Sequence, residues 1–236
     1  MKLRIKPVVF ALAGAIVFQS YSQDFNKKLT KYTNKLGESI DQVDKGRKAL
    51  LHDIGDYIFD ELGKDGGVNL LVICTHNSRR SHIGQVWLHT AAMYYGIDGI
   101  QAFSGGTEAT AFNKNAVEAL ERAGFVVSNA KGENPKYEVT AGGQTWIHYS
   151  KKYSDKQNPS SDFSAIMVCS DADKSCPIVK GAEARFSLPF DDPRYSDGTP
   201  SQKSAYDKTV EEIGREMFYL MNYVKEKQVE ILEAKK

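Results

Sequence analysis

Apolar residues recur at steps of three and four through residues 24–64. Val43, Leu50, Leu51, Ile54, Ile58 and Leu62 line one face of an otherwise charged stretch, which predicts helix. Asp65, Gly66 and Gly67 end it. Residues 68–73 are an unbroken apolar run between turn signals, the pattern of a strand buried on both faces. A helix is expected over 81–95, with Ile83, Val86, Trp87 and Ala91 on one side and Gly96 as its stop. A short strand at 100–103 then leads into Ser104, Gly105, Gly106 and Thr107. Helix 113–123 opens on the capping residue Asn113 and closes at Gly124. Strands follow at 163–168 and 184–188. From Ser201 onward Tyr206, Val210, Ile213, Met217, Leu220 and Val224 trace a last amphipathic helix. Strands alternating with helices predict an α/β fold with parallel pairing.

Two segments stand outside this alternation. Lys2, Arg4 and Lys6 precede an uncharged apolar stretch at 7–18, and Ser20-Tyr21-Ser22 places small residues before Gln23. That is the layout of a secretory signal peptide over residues 1–22, with cleavage near Ser22/Gln23. The apolar run falls short of the roughly 18–20 residues a spanning helix needs, so no stable membrane anchor is expected. The expected location is exported, periplasmic or secreted, and cytoplasmic if the segment is not processed. The second segment, 132–160, is polar and aromatic and reads as a hairpin-like insertion. Its Tyr137, Trp146, His148 and Tyr149 either rim a pocket or cover hydrophobic surface. The expected organisation is signal peptide 1–22, helical extension 23–66, catalytic domain 67–228 and charged tail 229–236.

Composition adds one exclusion. Lys and Arg total 31 against 30 Asp and Glu, so the net charge of +1 lacks the basic excess of a nucleic-acid binder. Residues 1–22 carry three basic and no acidic side chains, so the remaining 214 would carry −2. Three cysteines are too few and too odd in number for a disulfide framework.

The chemistry concentrates in Cys74-Thr75-His76-Asn77-Ser78-Arg79-Arg80-Ser81, between the first buried strand and the helix after it. In open α/β folds, ligands bind at such strand ends. A loop of this length can turn successive N–H groups inward, and the helix adds its own free N–H groups and positive dipole end. Thr75, His76, Asn77, Ser78, Arg79 and Arg80 would thereby cradle a tetrahedral oxyanion, with Arg80 as a planar fork for two oxygens. The same field favours the thiolate of Cys74 as a nucleophile, with Ser81 donating to it. No metal site is expected, because the spacing of Cys169 and Cys176 is not a zinc knuckle.

The Cys-x5-Arg-Ser loop after the first strand resembles that of the low-molecular-weight protein tyrosine phosphatases and of the thioredoxin-coupled arsenate reductases that share their fold. Three further segments carry the resemblance. Residues 103–108, Phe-Ser-Gly-Gly-Thr-Glu, followed by Asn113-x-Asn115-Ala116, are similar to the reductase segment after the second strand. Residues 169–177 are similar to the redox segment, and Phe190-Asp191-Asp192-Pro193 is similar to the acid loop. The resemblance spans most of 68–223 and implies a three-layer, open, mainly parallel four-stranded sheet. It implies that Cys74 attacks phosphorus or arsenic and that Asp192, directly before the proline, protonates the leaving oxygen. In the reductases it also implies a relay. The counterpart of Cys169 attacks the Cys74 adduct, and that of Cys176 then takes over the disulfide for thioredoxin. Seven helical residues would hold Cys169 and Cys176 roughly 10 Å apart, beyond the ~7 Å limit of a disulfide, so the small, polar stretch between them must unwind.

Three departures bear on the reading. His76 stands where the families carry Gly, and His tolerates left-handed backbone better than most residues. Arg79 adds a second cation. Gln85 replaces an acidic residue that some reductases use near potassium, so neither that ion nor any other cofactor is expected beyond an external thiol reductant such as thioredoxin. The readings that follow are a thiol-dependent arsenate reductase, a phosphatase acting on phosphotyrosine or another phosphomonoester, and a non-catalytic oxyanion or redox sensor. An inert Cys176 beside a buried Cys169 is the bland alternative to the relay.

Overall fold

The computed structural model describes residues 25–64, 67–128 and 131–234; the expected signal peptide lies outside them. In chain order come helix α1 (Lys27–Glu38), a 3-10 turn, α2 (Lys45–Leu62), strand β1 (Val68–Cys74) and α3 (Arg80–Tyr95). They are followed by β2 (Ile100–Gly106), α4 (Lys114–Ala123), β3 (Val126–Val127), β4 (Tyr137–Ala141) and β5 (Gln144–His148). The chain closes with β6 (Phe163–Met167), α5 (Ser170–Ser175), β7 (Ala182–Ser187) and α6 (Gln202–Ala234). The main sheet has the order β2-β1-β6-β7 with every pair parallel, and helices lie on both sides. β1 and β6 are central, which is why both are apolar apart from Asn69 and Ser164.

The helical stretch expected over 24–64 is built as two helices, α1 and α2. Asn26 caps α1, and Asp44 caps α2 through the N–H groups of Gly46 and Arg47. Both helices are built into the core. Trp87 of α3 is fully buried between Tyr32 of α1, Phe125 and Phe218 of α6. A Cβ on Gly214 of α6 would come within 2.9 Å of both Trp87 and Leu36, and one on Gly55 of α2 would strike Tyr223 of α6. Two glycines therefore set how closely the N-terminal helices approach α6. The residues expected as a tail from 229 continue α6 to Ala234.

Strands β3, β4 and β5 form a separate three-stranded antiparallel sheet. Beyond it, 150–158 folds back on the open edge of β2. Gly106 N–H donates to Lys151 O at 2.9 Å, and Tyr153 N–H to Gly106 O at 2.8 Å. An open strand edge is thereby covered beside the carboxyl end of β1.

Candidate active site

β1 delivers Cys74 to the carboxyl edge of the sheet, and α3 starts six residues later at Arg80. The loop between them has all its carbonyls taken by neighbouring groups. Cys74 O accepts from Thr107 N–H (3.2 Å), Thr75 O from Glu108 N–H (2.8 Å) and Ser78 O from Asn113 N–H (2.8 Å). His76 O accepts from Ser150 Oγ (2.8 Å), and Asn77 O from His82 Nε2 (2.9 Å). None of the N–H groups from Thr75 to Ser81 donates to a protein acceptor among the described residues.

Asn77 makes the turn possible. Its φ of 44° is left-handed, so the strained position is Asn77 and not His76, the residue whose tolerance the sequence raised. Its side chain is fully engaged, with Nδ2 donating to Ser81 Oγ (2.9 Å) and Oδ1 accepting from Lys151 N–H (2.8 Å). Ser81 Oγ in turn lies 3.1 Å from Cys74 Sγ. The chain of contacts Lys151–Asn77–Ser81–Cys74 thus ties the covering segment to the thiol. Behind the loop, a Cβ on Gly106 would sit 2.6 Å from Asn77 N and 2.7 Å from Thr75 O.

The other expected residues are placed unevenly. Arg80 is buried and donates from Nη1 to Phe190 O (2.8 Å) and from Nη2 to Asp192 Oδ2 (2.5 Å). The loop arginine and the acid-loop carboxylate are thus side by side, while Asp191 is exposed. Arg79 departs from its expected place. Its guanidinium turns to α6, where Nε donates to Tyr206 OH (2.8 Å) and Nη2 pairs with Asp197 (3.2 Å). A charge neutralised in that way adds no second fork, and Arg79 contributes backbone only. His76 Nε2 lies 3.3 Å from Glu108.

All three cysteines are free and buried. Thr75 Oγ1 is 3.2 Å from Cys169 Sγ, so Cys169 adjoins the loop. Burial pushes the Cys169 thiol up, but Thr75, the amides of Ala172 and Asp171 and the charge of Arg80 outweigh it and hold it below the ordinary range. Cys176 lies across α5, with its Sγ on Ile178 O. The stretch between them, which the relay requires to unwind, is a helix at rest. Arg185 holds Asp173 at 2.6 Å, and Ser187 Oγ donates to the same carboxylate at 2.8 Å.

The N-terminal helices reach the acid loop through Arg47, which the periodicity of α2 gave no reason to single out. Arg47 forms a two-bond pair with Glu216 of α6 (2.9 and 2.6 Å), donates to Pro189 O (2.9 Å) and lies over the Phe190 ring. Burial pushes Glu216 above the usual carboxylate range despite Arg47. Arg47→Met is expected to lower stability by about 2–3 kcal/mol, because a half-buried carboxylate loses its partner. Arg47→Met with Glu216→Leu should recover most of that loss, and urea denaturation of both variants reads the difference.

The aromatic residues of 132–160 cover surface rather than rim the loop. Tyr137 and His148 pack on Phe112, and Trp146 stacks on His89 of α3 with centroids 4.6 Å apart. His148 also meets His82, whose Nδ1 lies 3.2 Å from both His148 Nδ1 and Ser104 Oγ. Burial holds His82 well below its ordinary value, His89 down to about 4 and His148 down to about 3. These rings are neutral in the fold and titrate near 6.5 when unfolded. Their stabilising contribution is complete above that value and is lost as pH falls toward the folded values. The urea midpoint should therefore drop between about pH 6.5 and about pH 4. His89→Gln, which can keep the bond to Ala102 O, should flatten the drop.

No group of three or more metal-ligating side chains occurs among the described residues, and no helix there is long and apolar enough to cross a membrane. No family model matches the chain. Arsenate reductase 2 of Staphylococcus epidermidis strain ATCC 35984 is 33% identical over 121 residues, covering 51% of this chain and 75% of the relative. Arsenate reductase of Bacillus subtilis strain 168 is 28% identical over 146 residues, covering 61% and 88%. Among solved structures, a low-molecular-weight phosphotyrosine phosphatase from Vibrio cholerae O395 aligns with a TM-score of 0.46 at 16% identity, over 66% of this chain and 95% of that one. An arsenate reductase in its phosphate-binding state aligns at 0.41 and 16%, over 66% and 98%.

Proposed function

Because the chain belongs to the low-molecular-weight protein tyrosine phosphatase superfamily, in its arsenate reductase branch, we propose that this enzyme is a thiol-dependent arsenate reductase. The observation that carries the proposal is the set of amides from Thr75 to Ser81 left without protein acceptors around Cys74, with Cys169 against the same loop. Such a cradle fits a tetrahedral oxyanion.

Cys74 thiolate attacks As(V) and forms the S–As bond as a hydroxyl departs, protonated by Asp192. Cys169 thiolate then attacks Cys74 Sγ. The S–As electron pair stays on arsenic, which leaves as arsenite, and a Cys74–Cys169 disulfide remains. Cys176 thiolate attacks Cys169 Sγ, freeing Cys74 as thiolate and moving the disulfide to Cys169–Cys176. A thioredoxin-like dithiol reduces it and is itself oxidised. The third step requires α5 to unwind, which breaks the Asp173 contacts to Arg185 and Ser187. If residues 1–22 direct export, the donor is a dithiol protein of the compartment entered.

Hydrolysis of a phosphomonoester through a phosphocysteine is the second reading. It is favoured by the Arg80–Asp192 juxtaposition, which serves a leaving alcohol as well as a leaving hydroxide. Arsenite release with a thioredoxin system and hydrolysis of an aryl phosphate, measured on the same three proteins, separate the two. The wild type should turn over arsenate repeatedly. Cys169→Ser should hydrolyse the aryl phosphate yet release no arsenite, and Cys176→Ser should stop after one turnover. Robust phosphatase turnover with no arsenite from the wild type would sink the reductase reading.

A further inference from the structure

The acid loop leaves the main sheet at the end of β7, and its first residues are held from two helices. Leu188 N–H donates to Met167 O (2.9 Å) and Phe190 N–H to Val168 O (3.2 Å), which extends the pairing with β6. Pro189 between them has no N–H, so its carbonyl is the only backbone group by which it can be held. Arg47 of α2 holds that carbonyl from Nη1 at 2.9 Å, and its guanidinium lies 4.7 Å from the centre of the Phe190 ring. Arg80 of α3 holds the next carbonyl, Phe190 O, at 2.8 Å. Two residues further on stands Asp192, with its side chain only 11% exposed.

Arg47 is itself held in place. It lies in the first turn of α2, just after the Asp44 cap, and its Nε and Nη2 form the two-bond pair with Glu216 of α6 (2.9 and 2.6 Å). A role in stability alone needs only that pair. The bond to Pro189 O and the contact with the Phe190 ring are additional, and both land on the two residues that lead from the sheet toward Asp192. A lysine could neutralise Glu216 as a point charge. It has no planar fork with which to chelate the carboxylate, reach a second acceptor and cover a ring at once.

We propose that Arg47 is a positioning residue for the chemistry: from α2 it fixes the acid loop so that the Asp192 carboxyl meets the leaving oxygen. The proposal rests on the reading of Asp192 as the proton donor. With an aryl phosphate, Cys74 Sγ bonds to phosphorus as the bond from phosphorus to the ester oxygen breaks. The electron pair of that bond goes to the oxygen, which takes the Asp192 proton and leaves as a phenol. Arg47 acts on none of these atoms directly, only through Pro189 and Phe190. Without it, the bonds at Leu188 and Phe190 keep the loop on the sheet, and what is lost is the aim of the carboxyl beyond them. A misplacement near 1 Å in such an array lowers the rate by about 10²-fold.

Two esters separate the aim of Asp192 from everything else that Arg47 does. Phenol is a poor leaving group without a proton, whereas dinitrophenol leaves readily as its anion. The quantity measured is kcat/KM, which reports formation of the S–P bond, for phenyl phosphate and for 2,4-dinitrophenyl phosphate. The test variant is Arg47→Met with Glu216→Leu, which leaves neither charge buried alone; a urea midpoint near that of the wild type shows its fold intact. It should lose about tenfold or more with phenyl phosphate and less than about threefold with the dinitrophenyl ester. Arg47→Lys, which keeps a charge beside Glu216, should show the same selectivity and covers the case in which the double variant does not fold. Asp192→Asn is the reference, and should lose about 10²-fold or more with phenyl phosphate and far less with the dinitrophenyl ester. Equal losses with both esters, or none, in the folded Arg47 variants overturn the proposal while Asp192→Asn keeps its selectivity. An Asp192→Asn variant that loses both esters equally, or a wild type that hydrolyses neither, overturns the reading of Asp192 and the proposal with it.

Discussion

Cys74→Ser should lower turnover of arsenate and of aryl phosphate by about 10⁴-fold or more while leaving oxyanion binding in place. The separation follows from how the loop is held. Its shape comes from carbonyl contacts to residues 107, 108, 113, 150 and His82, and from Asn77 braced by Ser81 and Lys151, none of which involves the Cys74 sulfur. Calorimetric titration with inorganic phosphate should therefore give a similar affinity for wild type and variant. What disappears is the nucleophile, because a serine hydroxyl in the same place has no neighbouring base to activate it. Loss of phosphate binding together with turnover would show that the sulfur itself organises the cradle.

Gly106→Val should be nearly as damaging, although the residue has no side chain to contribute. The added Cβ would enter the space occupied by Asn77 N and Thr75 O, 2.6 and 2.7 Å away, and backbone is a poor neighbour to displace. Either β2 shifts, breaking the contacts of Gly106 to Lys151 and Tyr153, or the loop shifts and misaims its amides. A misplacement near 1 Å in a catalytic array lowers kcat/KM by about 10²-fold. Overpacking of this kind also lowers stability by about 1–3 kcal/mol. Steady-state kinetics with aryl phosphate and urea denaturation read the two effects separately. Wild-type kcat/KM in the variant would mean that β2 does not back the loop.

The strands and the later helices were legible because their signals are local. Apolar runs at 68–73 and 163–168 mark the two central strands, and Asn113 with Gly124 brackets α4 at both ends. The loop proposed to carry the chemistry was legible as a loop for the same reason, residues 75–79 lying between a buried strand and a helix. Within the helical stretch 24–64 the break before α2 was not legible, because Asp44 marks it as an N-cap and apolar periodicity carries no such signal. Arg79 and Arg80 are adjacent in sequence, yet one faces Tyr206 and Asp197 and the other faces Asp192. Only the tertiary partners distinguish them. The bracing by Ser150 and Lys151 was invisible because it runs through backbone groups and one hydroxyl some 74 positions away. No residue type advertises such a contact.

The glycines behind the loop bear on how such a protein can diversify. Gly106 is walled in by the cradle itself, and a Cβ on Gly105 would meet Tyr153 Cα at 2.5 Å. Neither position can accept even one methyl group without moving backbone, so heritable change is barred at these two positions. The exposed side chains nearby in sequence are under no such restriction. Ile178 follows Cys176 at 81% exposure, and Tyr195 follows the acid loop at 75%. Lineages descending from this chain can exchange those residues one at a time without displacing the backbone that the two glycines hold in place.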